Sequence, residues 1–242
     1  MNKPKMIIFD YGQTIVNEKS FDPLRGTSAV LKEAAINPNN VSAEEVQALA
    51  YELGRDIGRW GVDAEKQTFL EVHNHVFQTY LYEYFDIEFT KPMAEVERIF
   101  LNGACIAEPT KNIVEFLSFL DSKKIRTSVI SNISFSGNLL KEHINGLLPS
   151  NNFEFIIASS EYIFRKPHKR IFELALRKAK LNASDVWYCG DNAVFDVDGA
   201  AASGIFPVWY KGAIEKSNKY TPKSDCLEVN DWNEIIEMLG EL

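Results

Sequence analysis

Cysteine is scarce in this chain: Cys105, Cys189 and Cys226 are the three in 242 residues, and they lie far apart. No CxxC pair occurs, so the sequence offers neither a disulfide framework nor a thiolate zinc site. The three read as small, reduced core residues. Long apolar runs are also missing, and none approaches the roughly 20 residues that span a bilayer. The opening MNKPKMIIFDYG is basic, but only the four residues Met6 to Phe9 form an apolar run before Asp10. That is too short for the apolar stretch of a secretory signal. A cytoplasmic chain with no membrane partner is the expectation. Basic charge is in deficit: 26 Lys and Arg against 34 Asp and Glu give a formal net charge of −8. Nucleic-acid binders usually present a basic face, so no nucleic-acid partner is expected, although a local pocket for one anion remains open.

What is present is the composition of a globular protein with a sizeable core, 45% hydrophobic and 25% charged. Five short apolar runs read as strands covered on both faces: KMIIF at 5–9, RTSVI at 126–130, FEFIIA at 153–158, DVWYC at 185–189 and GIFPVWY at 204–210. Helical patterns separate them. Over 112–124, Ile113, Phe116, Leu117 and Leu120 share one face. A helix is expected to start at Lys166 with Pro167 in its first position. Asn230 or Asp231 should cap a last helix. Strands alternating with helices imply α/β architecture, a doubly wound, Rossmann-like parallel sheet in three layers.

Residues 17–108 interrupt this alternation with four helical stretches, about 24–36, 43–60, 65–85 and 92–105, and no convincing strand. In the third, Phe69, Val72, Val76, Phe77, Tyr80, Leu81 and Tyr84 recur at helical spacing, which predicts a buried face. Core residues 1–16 and 109–242 are therefore expected to carry an all-helical inserted domain over 17–108.

Polar residues follow the strands. KMIIF ends on Asp10, RTSVI on Ser131 and Asn132, and DVWYC on Gly190, Asp191 and Asn192, with Asp196 five residues beyond Asp191. FEFIIA leads to Lys166. In an open α/β sheet, ligands sit outside the carboxyl ends of strands, so these groups should converge. Each alone has an ordinary reading as a cap, turn former or solvated charge. Together they form a coherent set. Asp10 and Asp191 offer hard oxygens suited to Mg²⁺. Lys166 offers a charge for a phosphoryl group, and a carboxylate can attack phosphorus to form an aspartyl-phosphate.

The set resembles the haloacid dehalogenase (HAD) superfamily, mostly Mg²⁺-dependent phosphatases. The motifs are Asp10-Tyr11-Gly12-Gln13-Thr14, then Ser131-Asn132, then Lys166 within RKPHKRIFELAL, and GDNAVFDVDGA with Asp191 and Asp196. They fall in family order along nearly the whole chain, and the insertion after the first is similar to the family's helical cap. The resemblance implies Asp10 as nucleophile, with Lys166 also catalytic. It implies Mg²⁺ held by Asp10, the Gly12 backbone carbonyl and Asp191, and phosphate bound by Ser131, the Asn132 backbone and Lys166. Thr14, Asn192 and Asp196 would support them, Asp196 by ordering Lys166.

One position departs from the family. Two residues after the nucleophile, family phosphatases normally carry a second aspartate, which protonates the leaving group and then deprotonates water. Here that residue is Gly12. A carbonyl can still face a metal, but the proton-transfer group is gone. Tyr11, Gln13, His73 and His75 are the candidates to replace it, the two histidines being expected on different faces of one helix. Arg25, Arg55 and Arg59 are further polar residues of the insertion. The implied activity is a Mg²⁺-dependent phosphatase or phosphotransferase acting on a small phosphorylated metabolite, best on good leaving groups. Two alternatives stand beside it. One is a 2-haloacid dehalogenase-like hydrolase, whose leaving halide needs no proton. The other is a catalytically weak regulatory protein that binds a phosphoryl ligand. Oligomeric state is not legible.

Overall fold

The run MIIF forms the first strand, β1 (Met6–Phe9), and all four of its side chains are fully buried. A strand with no exposed face needs a layer on each side. The computed structural model, which describes residues 3–59, 69–214 and 220–241, shows both layers. β1 lies between β4 (Arg126–Ser131) and β6 (Val186–Gly190) in a six-stranded parallel sheet. β5 (Ile156–Ala158) pairs with β4 at one edge, and β7 (Phe206–Tyr210) and β8 (Leu227–Val229) extend the other. Alternation sends Ile7 and Phe9 into a cluster with Phe116 and Trp232, and Met6 and Ile8 into one with Ile171 and Phe172. The first face is covered by α5 (Ile113–Ser122), α6 (Gly137–Leu147) and α9 (Trp232–Gly240). The second is covered by α7 (Lys169–Ala179) and α8 (Gly199–Ala202). This is the doubly wound α/β sheet expected from the sequence.

All five expected strands occur. β8 was not expected, because it is a three-residue edge whose middle residue is the exposed Glu228, which leaves no apolar signal. α5 buries Ile113, Phe116, Leu117 and Leu120 as expected. Asp231, not Asn230, caps α9, in a reciprocal pair with Glu234. α7 starts at Lys169, after a His168 cap, so Lys166 and Pro167 precede the helix.

The inserted stretch departs from expectation in two ways. First, it is bracketed by strands: β2 (Val16–Phe21) and β3 (Cys105–Pro109) form an antiparallel ribbon with a register shift between Glu18 and Ser20. VNEKSF is too polar to announce a strand, and its partner lies about ninety residues away in sequence. Between the two strands, the described residues form α1 (Pro23–Leu31), α2 (Ala43–Asp56), α3 (Asn74–Glu83) and α4 (Met93–Ala104), around a separate cluster that includes Val30, Val46, Leu81, Tyr82 and Val96.

Second, the third helical stretch is shorter and turned differently. Residues 65–68 of that expectation lie outside the described residues. Residues 69–73 are not helical, and α3 buries Asn74, Gln78, Leu81 and Tyr82. Phe69, Val76, Tyr80 and Tyr84 are exposed rather than core. Hydrogen bonds at its first turn accompany this rotation. Asn74 N donates to Ser134 O at 2.8 Å, and Asn74 Nδ2 to the fully buried carboxylate of Glu97 on α4 at 3.2 Å. Glu97 also accepts from Ser136 N and Oγ at 3.0 and 2.6 Å. Cys189 is buried and the other two cysteines half-buried, all three as free thiols. No helix among the described residues is long and apolar enough to cross a membrane.

Candidate active site

The carboxyl ends of β4, β1 and β6 lie side by side at the centre of the sheet, where the strand order changes direction. That is where an open α/β sheet leaves a crevice. Asp10 follows β1 directly, Ser131 ends β4, and Asp191 follows β6, so three of the expected residues meet because their strands do.

Lys166 joins them from the loop before α7. Its Nζ donates to Asp10 Oδ1 at 2.6 Å, Asp196 Oδ1 at 2.6 Å and Tyr188 Oη at 2.8 Å, and the residue is 2% exposed. An ammonium so buried is tolerable only because its three protons are matched by three acceptors. Burial alone would lower its pKa, but the Asp10 and Asp196 carboxylates carry it net upward. Its backbone is clamped by the Asn132 side chain. Asn132 Oδ1 accepts from Lys166 N at 2.7 Å and Nδ2 donates to Lys166 O at 2.9 Å. The family resemblance implies an Asn132 backbone contact to phosphate; the structure adds a side chain that ties the β4 loop to Lys166.

The stretch after β6 is built around Asp196. Asn192 caps the π-helical turn Ala193–Asp198 through Val194 N and Phe195 N at 3.0 and 2.9 Å, and Asn192 N donates to Asp196 Oδ2 at 2.9 Å. Asp196 therefore faces Lys166 with both oxygens engaged. A side chain on Gly190 would overlap the Asp196 carboxyl group. Gly190→Ala should accordingly displace Asp196 and destabilise the fold by about 1–3 kcal/mol. Thermal melts beside a Gly240→Ala control, where an added methyl meets nothing within 4 Å, would measure this. Equal melting temperatures for both variants would contradict it.

Asp10, Asp191 and Asp196 bring one carboxylate oxygen each within 4.8 Å of one another. Burial raises the pKa of Asp10, Asp196 adds to the rise and Lys166 opposes it; burial also raises Asp191, with Asp196 and Asp10 adding to it. Ionised together, three buried carboxylates against one ammonium would carry surplus negative charge. Hard oxygen donors with surplus anionic charge match the requirements of a divalent cation of the Mg²⁺ class. Thr14 tethers the Asp10 loop through its carbonyl, which accepts from Thr110 Oγ1 at 2.8 Å. Its own hydroxyl has no hydrogen-bond partner among the described residues.

The candidates to replace the missing acid are engaged elsewhere. Tyr11 Oη lies 2.8 Å from His143 Nδ1 on α6, and burial raises its pKa. Gln13 adopts a left-handed backbone (φ 57°) and its Nε2 donates to Glu18 O at 3.2 Å. His73 caps α3, and His75 lies 3.0 Å from Glu97. Their rings meet edge-on at 4.7 Å instead of facing apart, because His73 precedes the helix. Arg59 donates to Val72 O at 3.1 Å and lies over the Phe77 ring, while Arg25 and Arg55 are exposed. Two site residues carried no signal in the sequence. Tyr188 reads as an ordinary apolar strand residue. Glu18 reads as one acid in a polar segment, yet its carboxylate oxygen would be 3.3 Å from a Cβ placed on Gly12.

Between the helical unit and the loop after Asn132 lies a cavity of about 410 Å³. Phe77, Leu81, Tyr82 and Phe100 line it from one side and Phe135 from the other, and Gln78, with its Oε1 unpaired among the described residues, borders it.

Sequence and structural relatives share this fold. The haloacid dehalogenase-like hydrolase family model matches residues 7–210. A stretch of 77 residues is 35% identical to the glyceraldehyde 3-phosphate phosphatase of Pyrococcus abyssi (strain GE5 / Orsay), covering 31% of this chain and about a third (32%) of that protein. The 2-haloacid dehalogenase of Pseudomonas syringae pv. Tomato DC3000 superposes with a TM-score of 0.66 over 100% of this chain and 99% of its own, at 20% identity. An HAD phosphatase from Thermococcus onnurineus gives 0.61 over 97% of each chain at 18% identity. At such identities the superpositions show a shared fold. With the family model spanning the sheet strands from β1 to β7 and every motif between them, the chain belongs to the haloacid dehalogenase-like hydrolases.

Proposed function

We propose that this chain is a Mg²⁺-dependent phosphatase or phosphotransferase that acts on a small phosphorylated metabolite through an aspartyl-phosphate on Asp10. The observation that carries this reading is Lys166: a buried ammonium shared by Asp10 and Asp196 at the mouth of the sheet. An arrangement that holds one carboxylate beside a fixed cation suits attack by that carboxylate on an anionic phosphoryl group. Asp10 attacks phosphorus. Lys166 offsets charge on the phosphoryl oxygens, and Ser131 with the Asn132 backbone holds them. Asp196 fixes Lys166. Asp10, the Gly12 carbonyl and Asp191 would hold the metal, which would neutralise phosphoryl charge and orient the ester. The carboxylates beyond Asp10 favour this over halide chemistry, which needs no divalent metal ion beside the nucleophile.

In this reading the helical unit over 17–108 is a cap on a core of 1–16 and 109–242, and the β2–β3 ribbon joins them.

The test is p-nitrophenyl phosphate hydrolysis with and without Mg²⁺, coupled to thermal melts. Turnover should require the metal. Asp10 and Asp191 have folded pKa values above their unfolded value of about 3.9. The metal-free fold thus retains protons that the unfolded chain releases, and loses stability as pH rises from that value through the raised ones. A divalent cation takes the place of those protons, so Mg²⁺ should raise Tm more at pH 8 than at pH 5. Turnover unaffected by chelator, or a Mg²⁺ shift that shrinks as pH rises, would defeat the proposal.

A further inference from the structure

Resting on the phosphatase reading, we propose that Glu18 is the proton-transfer residue of this enzyme, its carboxylate standing where the side chain absent from Gly12 would act.

The turn after Asp10 brings the two together. Gln13 N donates to Val16 O at 2.7 Å, and Ile15 N and Val16 N both donate to Tyr11 O at 3.1 Å. The chain reverses tightly, and β2 runs back past the loop it has just left. Glu18 is two residues into that return, and the amide of Gln13 holds its carbonyl at 3.2 Å. The register shift with β3 falls just after it, between Glu18 and Ser20. Such irregularities re-aim a side chain beside an active site. A Cβ built on Gly12 would meet Glu18 Oε2 at 3.3 Å and Cδ at 3.6 Å, and apart from its chain neighbours no other described heavy atom comes within 4 Å. A carboxylate is therefore the group that borders the empty side-chain position. Glu18 is half-buried, so it can exchange protons with solvent between turnovers.

The chemistry then balances. An Asp10 oxygen forms a bond to phosphorus, the bond to the ester oxygen breaks, and that oxygen takes the proton of the Glu18 carboxyl group. Water next loses a proton to the Glu18 carboxylate and attacks phosphorus. The bond to Asp10 breaks, releasing inorganic phosphate, the Asp10 carboxylate and a protonated Glu18. Glycine at position 12 has a reason in this scheme: an aspartate there would place a second carboxylate against Glu18.

The experiment compares kcat/KM for ethyl phosphate, phenyl phosphate and p-nitrophenyl phosphate in wild type, Asp10→Asn, Glu18→Gln, Gly12→Asp and the Gly12→Asp/Glu18→Gln double variant. This constant reports only steps through departure of the leaving group. An alkoxide needs a proton to leave and a nitrophenolate does not. Glu18→Gln should lower ethyl phosphate turnover by roughly 100- to 10,000-fold, with a much smaller loss for p-nitrophenyl phosphate. The variant should also accumulate phosphoryl-Asp10 under saturating p-nitrophenyl phosphate, seen in the intact mass after acid quench. Gly12→Asp alone should bring no gain, whereas in the double variant it should restore ethyl phosphate turnover. Equal losses for all three esters would mark Glu18 as structural and overturn the proposal. So would an unchanged Glu18→Gln enzyme, a wild type active on aryl esters alone, or a large gain from Gly12→Asp alone. A wild type inert toward every ester would bring down the phosphatase reading itself. A wild type active through Asp10 but indifferent to Glu18 would bring down only the Glu18 assignment.

Discussion

Asp10→Asn should abolish p-nitrophenyl phosphate hydrolysis while making the metal-free protein harder to melt. The two effects have one origin. Asp10 lies at the end of β1 with one oxygen 2.6 Å from Lys166 Nζ. In a metal-free site it is one of three buried carboxylates facing one ammonium. Its raised pKa says that burial disfavours the anion more than Lys166 favours it. An asparagine keeps the shape and can still accept from Lys166, but carries no charge, so the folded state sheds part of its self-repulsion. The same substitution removes the nucleophile. Losing a nucleophile has cost on the order of 10⁶-fold in well-studied hydrolases, and a comparable fall in kcat is expected here. Full stability with no turnover would separate chemistry from folding. Residual turnover within tenfold of wild type would mean that the nucleophile is elsewhere.

Why some of this was legible in the sequence, and some not, follows from the range of the forces involved. β1 and β6 are buried on both faces, so each had to be a short apolar run, and a run that ends on an acid is visible to inspection. Asp10, Asp191 and Asp196 are visible as a set because each follows its strand within a few residues, and Ser131 because it ends one. Lys166 was found by its motif, but the helix start was placed three residues early. Nothing local shows that Asn132, thirty-four residues upstream, pins its backbone in a loop. The β2–β3 ribbon was missed because its stability comes from pairing across the inserted helices and not from composition. Glu18 was missed with it. Its place beside Gly12 depends on a chain reversal that leaves no hydrophobic period to read. Apolar spacing finds Leu81 and Phe77 on the buried side of α3 but also predicts burial for the exposed Val76, Tyr80 and Tyr84. On the buried side Asn74 meets the carboxylate of Glu97, a long-range polar contact that apolar spacing does not register.

Lys166→Met should damage both folding and catalysis, and the pH dependence of the folding loss identifies the charge as the cause. Methionine fills much of the lysine's volume, so packing changes little. What disappears is a donor to three acceptors, Asp10, Asp196 and Tyr188. Removing one partner of a buried ion pair typically costs about 3–5 kcal/mol, and in a chain of this size about 10 °C of Tm. The sign with pH follows from which groups still titrate. The pKa of Lys166 is raised in the fold, so its contribution is complete below the unfolded lysine value of about 10.4 and is lost only above it. Between pH 5 and 8 the variant's behaviour therefore belongs to the carboxylates. With the ammonium gone, the folded pKa values of Asp10 and Asp191, already raised by burial, rise further above the unfolded value, and stability falls as pH climbs through that window. At low pH they are protonated and no longer need a cation, so the Tm gap between wild type and variant should be small at pH 5 and wide at pH 8. Mg²⁺ should narrow it at pH 8 by supplying charge to the same oxygens, yet kcat should stay reduced by at least about 100-fold, because a fixed donor to the phosphoryl group is missing. A gap of equal width at both pH values would trace the loss to packing. It would also remove Lys166 from the centre of the mechanism.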